Sequence, residues 1–301
     1  MKKHFIIIIS LFIIVTSCSK DHTQTVDSAI LNSGTNKFIY LYPELPQKPL
    51  NVFYNIPSGD RKNMPIVLIF HGEERNAIDY RDIWINASNK FGFMVFAPEF
   101  NTVDFPGGSS YIIGNVFQDG NYPTPQTLNN ENLWTFSIIE PLFDFIKTKA
   151  GSTVETYSLF GHSGGGQFVH RYVLFKPNAR INKAIAANSG WYSVPDGIAN
   201  YPYGIMNSPL SLIAPNSYFE KQLYITVGEL DNNGSDSSLR HNTASDLQGL
   251  NRLERANYFY TNSQSYALKM NSKFNWKFHI VSNSGHDPTK MSNDAINLLF
   301  Q

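Results

Sequence analysis

The chain has 301 residues, 42% hydrophobic and 16% charged, which is enough apolar material for one sizeable core. Lys and Arg together number 24 and so do Asp and Glu. There is also no long basic run, so the field that gathers nucleic acid is missing and no nucleic-acid partner is expected. The one cysteine, Cys18, leaves no pair for an internal disulfide and no thiol nucleophile elsewhere.

In chain order, MKKHFIIIISLFIIVTSCSK opens with Lys2 and Lys3 and continues as an apolar run over 5–15. That is an export signal, and it is shorter than the about 20 apolar residues a membrane-spanning helix needs. Val15-Thr16-Ser17-Cys18 resembles a bacterial lipoprotein cleavage box. The resemblance implies that Cys18 becomes the lipidated first residue of the mature protein. Its partner would then be a membrane and its location the bacterial cell envelope, expected at the outer membrane. Residues 1–18 are therefore read as signal, the polar, aperiodic stretch 19–37 as a tether, and 38–301 as the folded domain.

Short strands are predicted over 38–42 and 50–56, separated by Pro43, Pro46 and Pro49, as an antiparallel edge pair. The pattern then alternates. Strand PIVLIF (65–70) leads to a helix over 77–91, strand 93–97 to a helix over 133–149, and strand 156–160 to a helix over 165–175. Strands over 181–187 and 223–227, a long helix over 250–270, a strand over 274–281 and a closing helix from 290 complete the chain. Alternation of this kind implies an α/β fold, a mostly parallel sheet with helices on both faces, with chemistry collected at the carboxyl ends of the strands. Two aromatic-rich stretches, 101–132 and 191–220, do not fit the alternation and are expected to form pocket walls.

Gly161-His162-Ser163-Gly164-Gly165 satisfies G-x-S-x-G between a predicted strand and a predicted helix. Such a turn exposes its serine in a strained conformation, and neighbours two before and two after must lack side chains. Ser163 is the expected nucleophile. A serine needs a base, and His286 follows the last strand. His170 and His241 lie on predicted helices, and His162 is expected to point away. The acid belongs at the end of the strand before the long helix, where Asp231 is the first choice and Glu229 and Asp236 remain open. The backbone N–H groups of Gly164 and Glu73 are expected to form the oxyanion hole. The carboxylates of Glu73 and Glu74 should then turn outward toward Arg75. Trp191 and Tyr192, with Tyr201 and Tyr203 further along the same stretch, line either the substrate pocket or the core.

Phe70-His71-Gly72, the elbow, Asp231 and His286 together resemble the α/β-hydrolase superfamily from about residue 50 onward. FHGEERNAIDYRDIW, VFAPEF, FPGGSSYIIGNVF and NSGWY resemble secreted esterases of the polyhydroxyalkanoate-depolymerase and feruloyl-esterase type. The chain departs from that pattern in lacking cysteine pairs and in having His-Gly-Glu-Glu where lipase-like esterases have His-Gly-Gly-Gly. The resemblance implies hydrolysis of an ester substrate through a seryl intermediate, with no metal and no organic cofactor, on acylated polysaccharide or polyester. Two other readings remain: a serine peptidase on the same fold, and a lipid-anchored binding module without turnover.

Overall fold

The computed structural model describes residues 30–300. The export segment, Cys18 and residues 19–29 of the expected tether lie outside the described residues. Among the described residues no helix is long and apolar enough to cross a membrane.

The first half of the fold runs β1 (Gly34–Tyr40), β2 (Leu50–Ile56), β3 (Ile66–Phe70), α1 (Ala77–Phe91), β4 (Met94–Glu99), α2 (Ile139–Ala150), β5 (Tyr157–His162) and α3 (Gly164–Phe175). The second half runs β6 (Ile181–Ala187), α4 (Pro215–Phe219), β7 (Leu223–Gly228), α5 (Thr243–Asp246), α6 (Arg252–Lys269), β8 (Lys277–Val281) and α7 (Pro288–Phe300). All eight strands form one sheet in the order β1-β2-β4-β3-β5-β6-β7-β8. β2 is antiparallel to both its neighbours, and every pairing from β4 to β8 is parallel. From β3 the chain moves first to β4 on one side and later to β5 on the other, and this reversal opens a crevice beyond the strand ends.

β3 shows why the sheet is covered on both faces. All five residues of IVLIF are buried. Ile66, Leu68 and Phe70 join the core under α2, α3 and α6, while Val67 and Ile69 join a second core with Trp84 of α1 and Met291 and Ile296 of α7. The period of two sends alternate side chains to opposite faces, and each contributes about 1.5–3 kcal/mol by leaving water.

Most boundaries shift by no more than three residues, and three departures from expectation are larger. β1 begins at Gly34, so the fold takes in residues assigned to the tether. Its side chains are mostly exposed, and it is held by backbone pairing from Gly34↔Ile56 to Tyr40↔Leu50, which leaves no apolar periodicity to read. Leu31 is already buried, and its N–H bonds to the Lys149 carbonyl at 2.9 Å. The helix expected from 133 starts with two short 3₁₀ turns and becomes α-helical only at Ile139, because Pro141 lacks an N–H and is tolerated only in a first turn. His241 is not helical; it precedes α5 and meets Asp246 Oδ1 at 2.9 Å.

The two irregular stretches fold as a packed layer. Phe105, Tyr111, Ile113 and Phe117 of the first are buried, as are Trp191, Tyr192 and Tyr201 of the second. The Trp191 ring lies 4.1 Å from the Arg171 guanidinium, 4.9 Å from that of Arg240 and 4.7 Å from the Tyr203 ring. Tyr192 stacks on Phe259 of α6 at 4.4 Å. Trp191→Ala is therefore expected to destabilise the protein by about 3 to 5 kcal/mol, read from urea unfolding. A loss below about 1 kcal/mol, ordinary for surface positions, would place the indole outside the core.

Candidate active site

A single residue, Ser163, separates β5 from α3, and it sits at φ 56° and ψ −115°. That conformation costs a non-glycine residue about 1–3 kcal/mol and persists only where the surroundings enforce it. Close backbone approach enforces it here. A Cβ at Gly161 would lie 2.1 Å from the Gly165 carbonyl oxygen, and one at Gly165 would lie 2.1 Å from that of Phe70. One at Gly166 would lie 2.5 Å from the Ala187 oxygen, so this glycine brings α3 onto the end of β6. Ser163 N–H in turn donates to Ala187 O at 2.9 Å.

The two expected oxyanion donors come from different strands and meet here. A Cβ on Gly164 would lie 3.3 Å from the Glu73 nitrogen, so the two peptides are neighbours beside the serine. His71 orients the second of them. Its Nε2 accepts from Phe100 N–H at 3.0 Å, which leaves the proton on Nδ1 to donate to the Gly72 carbonyl at 2.9 Å. A trans peptide points its C=O and N–H in opposite directions, so tying down Gly72 O aims the Glu73 N–H away from it. His71 is fully buried, and desolvation lowers its pKa to about 3, so the ring stays neutral.

His286 and Asp231 come together from the loops after β8 and β7. His286 Nδ1 and Asp231 Oδ2 are 2.7 Å apart, and Asp231 is buried. Of the other acids left open, Glu229 accepts from Asn283 N–H at 2.9 Å and Asp236 pairs with Arg252 at 2.7 Å. Arg252, buried at the start of α6, also reaches Asp231 Oδ1 at 3.3 Å and Ser238 Oγ at 2.8 Å. It holds the Asp236 carboxyl well below the usual carboxylate range.

His162, expected to point away from Ser163, lies against His286. Its ring lies 4.6 Å from that of His286, with Nδ1 at 2.9 Å from Tyr80 Oη and Nε2 accepting from Asn188 Nδ2 at 3.3 Å. Burial, and then the neighbouring His286, push its pKa well down, so the His162 ring stays neutral beside His286. Asn188 also donates to Gly285 O at 3.1 Å and accepts from Gly228 N–H at 2.8 Å, tying the His286 loop to β7.

A pocket of about 210 Å³ holds Ser163 and His286 together with Glu73, Glu74, Tyr80 and Ser238. Trp191 and Tyr192 do not line it, because both rings are spent in the packed layer behind α3; nor do residues 101–132. Arg75 turns inward rather than toward Glu73 and Glu74, donating to Phe100 O at 2.5 Å and Gly107 O at 2.8 Å. Among the described residues no group of three His, Cys, Asp or Glu side chains is placed to hold a metal ion. The supporting roles of Asn188 and Arg252 had no motif to announce them, since each acts through partners distant in sequence.

No protein-family model matches the chain, and no curated protein is significantly similar to it in sequence. Solved structures are. Poly(aspartic acid) hydrolase-1 from Sphingomonas sp. KT-1 is 35% identical, with a TM-score of 0.82 over 90% of this chain and 100% of that one. LpqC, a poly(3-hydroxybutyrate) depolymerase from Bordetella parapertussis, is 30% identical, with a TM-score of 0.82 over 89% and 90% of the two chains. The siderophore hydrolase EstB from Aspergillus nidulans, at 13% identity and a TM-score of 0.54 over 90% of this chain and 97% of that one, shares the fold. The eight-stranded sheet with its helices, and the similarity to two polymer hydrolases over nearly their whole length, place this chain in the α/β-hydrolase superfamily, among its hydrolases.

Proposed function

We propose that this protein hydrolyses carboxylic esters through an acyl intermediate on Ser163, with His286 as base and Asp231 as the acid that orients it. The observation that carries this reading is the 2.7 Å hydrogen bond from buried Asp231 to His286, which shares a pocket with Ser163 on its elbow. With the Nδ1 proton held by Asp231, Nε2 is free to take the Ser163 proton as Oγ attacks the ester carbonyl. The tetrahedral oxyanion is met by the N–H groups of Gly164 and Glu73, and such donors are each worth about 10²–10³ in rate. His286 then protonates the leaving alcohol, and water releases the acid by the same steps in reverse. The poly(3-hydroxybutyrate) depolymerase likeness supports a polyester as substrate, and an acylated polysaccharide fits the same chemistry.

Ser163→Ala is expected to lose about 10⁴-fold or more in kcat/KM on acetyl and butyryl esters and to lose labelling by a fluorophosphonate, with His286→Ala matching it. A purified, folded Ser163→Ala that keeps its activity would refute the mechanism. Asp231→Asn should lower kcat by up to about 10⁴-fold through the wrong histidine tautomer. If Glu229→Gln is the more harmful change, the acid has been misassigned.

A second reading, peptide or amide hydrolysis at the same serine, is favoured by one feature. Glu73 and Glu74 form an acidic pair in the pocket, where a free amino terminus would find a counter-charge. Matched ester and aminoacyl-amide substrates separate the two, since turnover of only the amides would reverse the order of preference.

We also propose that a lipid on Cys18 retains the protein at the cell envelope. Two or more acyl chains anchor stably, each buried CH₂ contributing about 0.8 kcal/mol. Cys18→Ser should move the protein from the detergent to the aqueous phase, and equal partitioning of both forms would rule the lipid out.

A further inference from the structure

The Trp191 indole has two guanidinium groups beside it, and neither has a carboxylate partner among the described residues. Arg171, on α3 behind Ser163, is fully buried. Its Nε donates to Ser193 Oγ at 2.8 Å and its Nη1 to the Gln167 carbonyl at 3.0 Å, while Nη2 is buried without a partner. Burial chiefly, with a smaller push from the positive Arg240 and against nearby tyrosines, brings this guanidinium down to about 9. A charge taken out of water without a counter-charge is costly, and a fold that keeps one has a use for its field.

Arg240 carries that field to the surface. It opens into a groove of about 510 Å³ lined also by Asn121, Tyr122, Tyr203 and Asn242. Nη1 is held by two neutral acceptors, Asn121 Oδ1 at 2.8 Å and Tyr203 Oη at 3.3 Å, and Tyr203 Oη is itself fixed by Asn242 Nδ2 at 2.6 Å. The guanidinium is thus stacked, oriented and uncompensated. The groove also adjoins the Ser163 pocket along the chain. Ser238 lines the Ser163 pocket and Arg240 lines the groove, and two residues of extended chain span at most about 7 Å. Glu73 and Glu74 in the Ser163 pocket repel an anion there, so a carboxylate on a bound substrate is driven toward the groove.

We propose that the Arg240 groove is a substrate subsite for a carboxylate, holding a free acid group one or two units away from the ester that Ser163 attacks. The ligand class is an oligoester, or an acyl chain, that bears or ends in a carboxylate. The proposal rests on the ester-hydrolase reading, and its test has an arm that does not. A linear trimer of 3-hydroxybutyrate is compared as the free acid and as its methyl ester. In Arg240→Gln the ratio of kcat/KM for acid over methyl ester is expected to fall about tenfold, chiefly through KM, and Arg240→Lys should restore part of it. A ratio that stays the same, or a fall shared equally by both substrates, overturns the subsite. In the second arm, calorimetry on Ser163→Ala should find the acid bound about tenfold more tightly than the methyl ester, with the difference lost in the Ser163→Ala, Arg240→Gln double variant. If neither compound is turned over and no fluorophosphonate label forms, the ester reading falls and this arm alone decides. Equal binding of the two compounds then overturns the groove as a carboxylate site.

Discussion

The site depends on the absence of room around Ser163. At Gly161, Gly165 and Gly166 a single added carbon would meet backbone at 2.1 to 2.5 Å. Here α3 is pressed against the ends of β3 and β6 more closely than any side chain permits. That contact holds the serine at positive φ and brings the Gly164 peptide alongside Glu73 from another strand. Under the proposed mechanism the nucleophile and both oxyanion donors would therefore be fixed by one packing event, as preorganised stabilisation of an oxyanion requires.

Around this contact the strand ends are joined by buried polar residues that each serve several masters. Asn188, itself at φ 48°, bonds the His162 ring, the Gly285 carbonyl and the Gly228 N–H, and so links β6, β7 and the loop of the base. Arg252 bridges Asp231, Asp236 and Ser238, fixing the acid and the pocket wall from one guanidinium. Such groups are expensive to bury, and their value lies in restricting where the loops can sit. Neutral His71 does the same for the Glu73 peptide, and because burial keeps its charge off, that support does not vary across the ordinary pH range.

Much of this was legible in the sequence where local chemistry decides. Strand β2, helix α1 and strand β6 follow the predicted boundaries because hydrophobic periodicity and a glycine stop at Gly92 specify them without outside help. The elbow was readable because the steric demand of the turn is written in adjacent residues. The edge pair of β1 and β2 was readable, but the start of β1 over 34–37 was hidden because its stability comes from pairing with β2 rather than from its own side chains. Trp191 and Tyr192 could not be assigned, since an aromatic-rich loop beside a strand end looks the same whether its rings face solvent or roll inward over α3. The neighbours of His162 were not legible for a related reason, since the ring of His286 arrives from the far end of the chain to lie against it. Arg171 gave no sign in the sequence that it would be buried without a counter-ion.

His286 is carried by an edge of the sheet. β8 is one of its two outermost strands, paired only with β7, and none of its five residues is fully buried, whereas β3, which leads to the Glu73 loop, is buried throughout. Segments with few buried contacts open at lower free energy than the core. His286 sits just beyond this edge, so the proposed machinery is assembled from parts of unequal thermal endurance. If His286 is the base, warming would detach it while Ser163 and the Gly164 and Glu73 peptides are still in place. Activity would then be lost reversibly, below the temperature at which the protein melts.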